Sequence, residues 1–296
     1  MTPPRTGRGY LTHAFNHEGA DYLRMAYCLA LSLRLTQSTV TGLSVIVPQS
    51  QHLPRRYLDV FDHVIAIPDV RPECVTRTWR VDNYVRMYDL SPYEETVTVD
   101  ADTLFFDDVS PWWDVMAAAE LVGGTAVTYR GEPIAHNPLR KELYRIGLPD
   151  LHNGFCYFRR GPVVERLFAT MSGYLEDWAG TCARHFGDPH VPFSSDSAFL
   201  LAIRDNGLED IAAGPCPGTP HFVHMKACVQ GWPGVPESAR EWRPYVSHGF
   251  DDRLRLRIDG IRIGAPFHYH VRDFITDELL LGYETALEAR HGAARG

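Results

Sequence analysis

Lysine is almost missing. The 296-residue chain has Lys141 and Lys226 and no others, so arginine carries nearly all of its positive charge. That bias carries little functional content; the formal net charge of -8 argues against a protein that coats nucleic acid by bulk electrostatics and leaves room for a local basic patch. No apolar run approaches the roughly 18 residues of a membrane span, and the opening MTPPRTGRGY lacks the apolar centre of a signal peptide. We therefore expect a cytoplasmic protein with no membrane partner. Paired cysteines are absent too: Cys28, Cys74, Cys156, Cys182, Cys216 and Cys228 stand singly, which excludes a zinc ribbon and fits a reducing compartment. The bulk of the chain is ordinary globular material, 45% hydrophobic and 22% charged, so disorder and a coiled coil are excluded as the main architecture.

Short β-rich runs alternate with helical stripes. Residues 9–15, 43–47, 63–67, 96–100, 121–128 and 153–159 read as strands, and 21–35, 77–90, 162–178 and 195–205 as helices. Ser91-Pro92 stops the second of these helices and Pro162 opens the third. This alternation is the wiring of an α/β fold. Residues 229–250, rich in Pro, Gly and Trp, mark a boundary. Beyond them LRLRI and IRI flank Asp259-Gly260, a strong two-residue hairpin signal, and 274–290 reads as an amphipathic helix. The expected organisation is one α/β domain over 8–230 and a hairpin-plus-helix appendage over 231–296. In the hairpin Arg257 should oppose Arg262, with Arg253 and Arg255 continuing one four-arginine face. Such a face is ordinarily solvated, and its alternative use is to hold an anionic acceptor such as DNA.

The most informative stretch is Thr96-Val97-Thr98-Val99-Asp100-Ala101-Asp102-Thr103-Leu104-Phe105-Phe106, a buried-strand pattern that ends in two aspartates one residue apart. Residues i and i+2 of an extended chain point the same way, so Asp100 and Asp102 can face one ligand at the carboxyl edge of the sheet, where open α/β folds bind ligands. Two adjacent carboxylates repel unless a cation joins them, and hard oxygen donors suit Mg²⁺ or Mn²⁺. The bare Asp-x-Asp is common at strand ends and turns; the strand before it and Leu-Phe-Phe after it favour a metal site.

The run VTVDADTLFF resembles the Asp-x-Asp segment of nucleotide-sugar-dependent glycosyltransferases of the GT-A fold, particularly the retaining family 8 enzymes of the glycogenin and galactosyltransferase type, and is similar to phage-encoded relatives. Other elements follow in the family's order across residues 10–232: Tyr84-Val85-Arg86 before the motif, His152-Asn153-Gly154-Phe155 after it, Ser195-Asp196-Ser197 at a helix start, then His224-Met225-Lys226 and Gly231-Trp232. The resemblance implies an α/β GT-A fold with a mixed sheet flanked by helices, and a hexosyltransferase that moves a sugar, with retention, from a nucleoside-diphosphate donor, most simply a UDP-sugar. It implies Mn²⁺ or Mg²⁺ held by Asp100, Asp102 and a late histidine. We take His224 for that ligand, with His268 and His270 on Phe267-His268-Tyr269-His270-Val271 as the alternatives. Thr12, Ala14 and Asn16 would line the nucleotide, and Arg86, Asp100 and Lys226 would lie at the diphosphate. Asn153, Ser195 and Asp196 would face the sugar as catalytic residues.

Three other functions stay open from the sequence. A nucleotidyltransferase would use a similar fold and metal, but no Gly-rich basic loop follows the first strand. A phage-type glycosyltransferase acting on modified bases in DNA would use the arginine hairpin, against the net charge. A non-catalytic sugar-binding relative would be expected to lose the carboxylates, and both are present. The acceptor, whether saccharide, small molecule or DNA, is not written in the sequence.

Overall fold

The computed structural model describes residues 7–16, 19–39, 42–68, 81–134, 140–215, 220–225, 232, 234–236, 239, 241–269 and 271–293. Among them, nine strands form one mixed sheet: β1 (Arg8–His13), β2 (Gly42–Pro48), β3 (His63–Ile67), β4 (Glu95–Val99), β5 (Thr103–Leu104), β6 (Leu121–Val127), β7 (His152–Arg159), β8 (His221–His224) and β12 (Phe267–His268). Their spatial order is β3-β2-β1-β4-β7-β6-β8-β12-β5. β1, β2, β3 and β4 run parallel, β7 is antiparallel to both its neighbours, and β12 pairs parallel with β8 and antiparallel with β5. The protein is thus an α/β fold with a mixed sheet, flanked by helices, as expected.

Strand alternation divides the core in two. Tyr10, Val45, Val97 and Val99 point into a cluster shared with the helix Tyr22–Thr36, Phe105 and Trp113, while Leu11, Ile46 and Phe158 point into a second cluster under the helices Pro162–Glu176 and Ser195–Asp205. The helix Tyr22–Thr36 starts where its orphan N–H groups find acceptors: Asp21 Oδ1 accepts from Arg24 N at 3.0 Å, and Asn16 Oδ1 from Leu23 N at 2.9 Å. The helix expected over 77–90 is a 3₁₀ turn at Val81–Arg86 followed by one α-turn at Met87–Leu90, and 77–80 lie outside the described residues. No described helix is long and apolar enough to cross a membrane.

The boundary expected near 230 falls across this sheet, because β12 is inserted between β8 and β5. The last helix, Asp277–Ala293, packs along Tyr22–Thr36. There Tyr27 OH donates to Glu284 Oε1 at 3.0 Å, and Arg290 Nη1 donates to the end carbonyls of Arg34 and Leu35 at 2.8 and 2.9 Å.

A separate three-stranded sheet holds β9 (His248–Phe250), β10 (Leu256–Ile258) and β11 (Ile261–Arg262). Asp259 and Gly260 take φ of 47° and 76°, which makes the expected two-residue turn and sets Arg257 opposite Arg262. The expected four-arginine face does not form. Residues 251–255 are a tight turn, closed by Asp251 N to Arg255 O at 3.0 Å, with Leu254 in the left-handed region. Arg255 is paired there with Asp251 at 3.0 Å, and Arg262 is paired with Asp107. The strand Leu256–Ile258 holds only Arg257 of the three arginines expected along it.

Candidate active site

The β4 strand ends at Val99, and Asp100 and Asp102 stand on the link to β5, at the carboxyl edge of the parallel strands. Pairing of β12 with β5 sets His268 opposite Thr103, so the imidazole arrives beside the carboxylates from a segment 166 residues further along the chain. His268 Nε2 lies 3.0 Å from Asp102 Oδ1 and 3.8 Å from Asp100 Oδ2, and Tyr269 N donates to Asp102 O at 3.0 Å. One ligand atom from each of the three lies within 4.8 Å of the others, which makes Asp100, Asp102 and His268 a group that could hold a metal ion. Two carboxylate oxygens and one imidazole nitrogen suit Mn²⁺, and the space beside them is kept open by Gly154, whose missing side chain would lie 2.1 Å from Asp100 Oδ2. The residues present therefore fit a divalent ion.

His224, the expected third ligand, lies beside His268 and not in that group. It pairs in register with His268, and its Nδ1 lies 3.0 Å from His268 Nδ1, on the side of that ring away from Nε2. Among the described residues His268 rather than His224 reaches the carboxylates. Lys226 and His270 lie outside the described residues.

The Asn153-Gly154 strand is shaped by a bulge. Gly123 pairs with Cys156 and Gly124 with His152, so 153–155 bow out toward β4. Side chains on either glycine would collide: a Cβ on Gly124 would meet Phe155 O at 2.4 Å, and one on Gly123 would meet Leu151 Cβ at 2.9 Å. The bow delivers Gly154 O to Asp100 N at 2.8 Å and Asn153 N to Asp196 Oδ1 at 3.1 Å. Two consecutive residues thus tie the paired aspartates to the start of the helix Ser195–Asp205, which Ser194 caps by accepting from Ser197 N at 3.0 Å.

Asp196 is already engaged. Its Oδ2 lies 3.2 Å from Arg140 Nη2 and 3.6 Å from His152 Nδ1, and Arg140, 4% exposed, also pairs with Asp150 and donates to Leu151 O at 2.6 Å. Burial works against the arginine's charge, but Asp196 and Asp150 outweigh it, so its pKa is raised. His152, buried and beside that guanidinium, is pushed the other way and stays neutral. Sequence reasoning missed Arg140. It follows a loop rich in Gly, Pro, His and Asn, and its local sequence gives no sign that the guanidinium is buried. His152 was legible only as a neighbour of Asn153.

At the end of β1, Thr12 Oγ1 and His13 Nδ1 are buried atoms without a partner among the described residues, and Asn153 Nδ2 is a third. Burial lowers the His13 pKa to about 4, with Asp102 opposing, and its ring stands edge-on to Tyr84 at 4.4 Å. The Tyr84 hydroxyl in turn donates to Asp100 Oδ1. Ala14 uses its backbone within the fold, donating to Ile46 O at 2.8 Å and accepting from Gln51 Nε2 at 3.2 Å. The Asn16 side chain serves the helix cap described above and donates to Asp21 Oδ1 at 2.9 Å. Arg86 closes its 3₁₀ turn, and Ser195 opens its helix, half-buried.

No protein-family model matches the chain, and no curated protein matches its sequence. Solved structures similar to it include mouse xyloside xylosyltransferase 1, at 12% identity over 68% of this chain and 83% of that one with a TM-score of 0.44. The galactosyltransferase LgtC is similar at 10% identity over 95% of this chain and 94% of that one, TM-score 0.47. The glycosyltransferase GlyE of Streptococcus pneumoniae TIGR4 is similar at 8% identity over 98% of this chain and 64% of that one, TM-score 0.47. Likeness this distant assigns no chemistry, which must be argued from the site itself.

Proposed function

We propose that the protein is a metal-dependent glycosyltransferase that moves a sugar from a nucleoside diphosphate to an acceptor. The observation that carries this reading is the group of Asp100, Asp102 and His268 at the carboxyl edge of the sheet, joined through Asn153-Gly154 to Asp196 at a helix start. We assign Asp100, Asp102 and His268 as the residues that hold the ion. A bound divalent ion would supply Lewis-acid neutralisation of the charge that builds on the departing diphosphate.

The remaining roles fall to the chain's own groups. Tyr84, by donating to Asp100 Oδ1, fixes that carboxylate so that Oδ2 faces His268. Thr12 Oγ1, His13 Nδ1 and Asn153 Nδ2 are buried polar atoms that a polar donor would satisfy, which supports a nucleotide or sugar bound there. Asp196 pairs with Arg140 and accepts from Asn153 N–H. A carboxylate so engaged stabilises positive charge at an anomeric carbon better than it attacks one. Arg86, Ser195 and Lys226 keep the diphosphate and sugar assignments that the family resemblance implies. A UDP-sugar and retention are likewise its implications, and Thr12 is the assigned nucleotide residue with an unengaged side-chain atom. Pairing of Arg255 with Asp251 and of Arg262 with Asp107 favours a saccharide or small-molecule acceptor over DNA.

The test is incubation with Mn²⁺ and a panel of nucleoside-diphosphate sugars, with mass spectrometry of the products. Hydrolysis or transfer should require Mn²⁺ or Mg²⁺ and be lost in Asp102→Asn with the protein still folded. Full turnover in excess EDTA, or in Asp102→Asn, would overturn the proposal.

A further inference from the structure

We propose that His224 is a positioning residue that accepts a hydrogen bond from His268 and thereby holds His268 in the one tautomer able to bind a metal. The proposal rests on the metal reading above and adds a residue to it. Two ring nitrogens 3.0 Å apart must share a single proton: His224 Nδ1 and His268 Nδ1 cannot both donate, and two bare lone pairs at that distance repel. For His268 Nε2 to offer its lone pair to an ion shared with Asp102 and Asp100, in place of its present 3.0 Å contact with Asp102, the proton of the neutral ring must sit on Nδ1. That proton then points at His224 Nδ1, which must be bare, so His224 carries its own proton on Nε2. Metal-bound histidines usually donate their second N–H to a carboxylate, a backbone carbonyl or water. Here a second imidazole takes that place.

The surroundings fit an oriented acceptor rather than a filler. His224 is 2% exposed and His268 8%. Parallel pairing of β8 with β12 sets the two residues side by side, and the rings tilt by 36° at a centroid distance of 4.9 Å. Phe222 stands edge-on to His224 at 5.6 Å and His152 packs on it at 5.2 Å, which limits rotation of the ring. An apolar side chain of similar volume could fill this site, but it would take away the acceptor that His224 offers to His268 and free the ring to take the other tautomer.

Calorimetric titration with Mn²⁺ alone on the full chain tests this through two substitutions at one position. His224→Phe keeps the volume and removes the acceptor; His224→Asn sets an amide oxygen near the place of Nδ1. We expect Mn²⁺ affinity to fall roughly 10–100-fold in His224→Phe, the loss typical when a residue orienting a metal ligand is removed, and to stay within about threefold of wild type in His224→Asn. Equal affinity in wild type and His224→Phe, or an equal loss in both variants, would overturn the positioning role. Asp102→Asn separates the two proposals. If it too leaves Mn²⁺ binding unchanged, the metal reading fails; if it abolishes binding while His224→Phe does not, only the role of His224 fails. Long-range ¹H–¹⁵N correlations on wild type at saturating Zn²⁺, a diamagnetic substitute, give a second measurement that requires no variant to fold. His268 should then carry its proton on Nδ1 and His224 on Nε2, and the reverse pattern would overturn the proposal.

Discussion

Gly154→Ala adds one methyl group and should disable the candidate metal site. The new Cβ would lie 2.1 Å from Asp100 Oδ2 and 2.7 Å from its Cγ, far inside the roughly 3.5 Å of ordinary non-bonded contact. The backbone cannot yield cheaply, because Asp100 N donates to Gly154 O at 2.8 Å and β4 and β7 stay paired through Val99 and Phe155. The carboxylate must therefore rotate, which pulls it from the Tyr84 hydroxyl and from His268. Strain of this kind costs about 1–3 kcal/mol, or roughly 2–4 °C in melting temperature for each kcal/mol in a large domain. Metal affinity should suffer more: displacing a residue that merely orients a ligand costs about 10–100-fold, and here a ligand itself moves. Gly173→Ala, whose Cβ would meet nothing within 4 Å, is the control and should leave Mn²⁺ binding unchanged. Calorimetry with Mn²⁺ and a thermal melt decide the matter. A Gly154→Ala protein that binds Mn²⁺ with wild-type affinity and melts at the wild-type temperature would refute the assignment of Asp100 to the metal.

Two further outcomes concern stability. The folded pKa of His13, near 4, lies below its unfolded value of about 6.5, so the unfolded chain binds more protons between these values. The contribution of a neutral His13 is complete above about pH 6.5 and is lost as pH falls toward 4, to a limit of about 3 kcal/mol. His13→Gln should remove that component, so wild type and variant should converge in chemical-denaturation stability from pH 7 to pH 4; a constant difference would contradict the buried neutral ring. Arg140→Met leaves Asp196 and Asp150 without their buried cation. Because those carboxylates are a quarter to a third exposed, the loss should be about 2–3 kcal/mol, below the usual range for a fully buried pair. Urea melts that coincide with wild type would show that the cluster holds nothing together.

The parts of the site that are legible in the sequence are those that local periodicity defines. Thr96 to Val99 alternate as a strand must, so Asp100 and Asp102 could be placed on one edge before any fold was known. Asn153-Gly154 was legible as a motif, but the need for glycine comes from Asp100 on the neighbouring strand. The third ligand was not resolvable, because His224 and His268 each lie in a short run of aromatic and β-branched residues. Only the pairing of β12 with both β8 and β5 decides which imidazole faces the carboxylates and which stands behind. Arg140 was invisible for a related reason: an arginine is buried only where distant acids receive it, and Asp196 lies 56 residues away in the chain. The four-arginine face was expected because alternation was extended past Leu256, where a tight turn ends the strand.

The Pro-, Gly- and Trp-rich stretch near 230 marks a change in local chain character, yet the candidate site depends on the C-terminal residues beyond that stretch. β5 is two residues long, and strands so short have no stability of their own. It is held by β12, whose Phe267 pairs with Leu104 and whose His268 pairs with Thr103, while Tyr269 N–H holds the carbonyl of Asp102. The residues after 231 therefore supply the imidazole and also fix the backbone that carries one of the two carboxylates. The Tyr22–Thr36 helix reinforces this from the other side, since it packs against both β5 and the last helix, and Ser32 Oγ accepts from Phe105 N at 3.1 Å. An acidic pair at the edge of a half-built sheet would only repel itself. Closure of the sheet by the C-terminal segment brings the imidazole beside Asp100 and Asp102 and turns two like charges into three donors around one point.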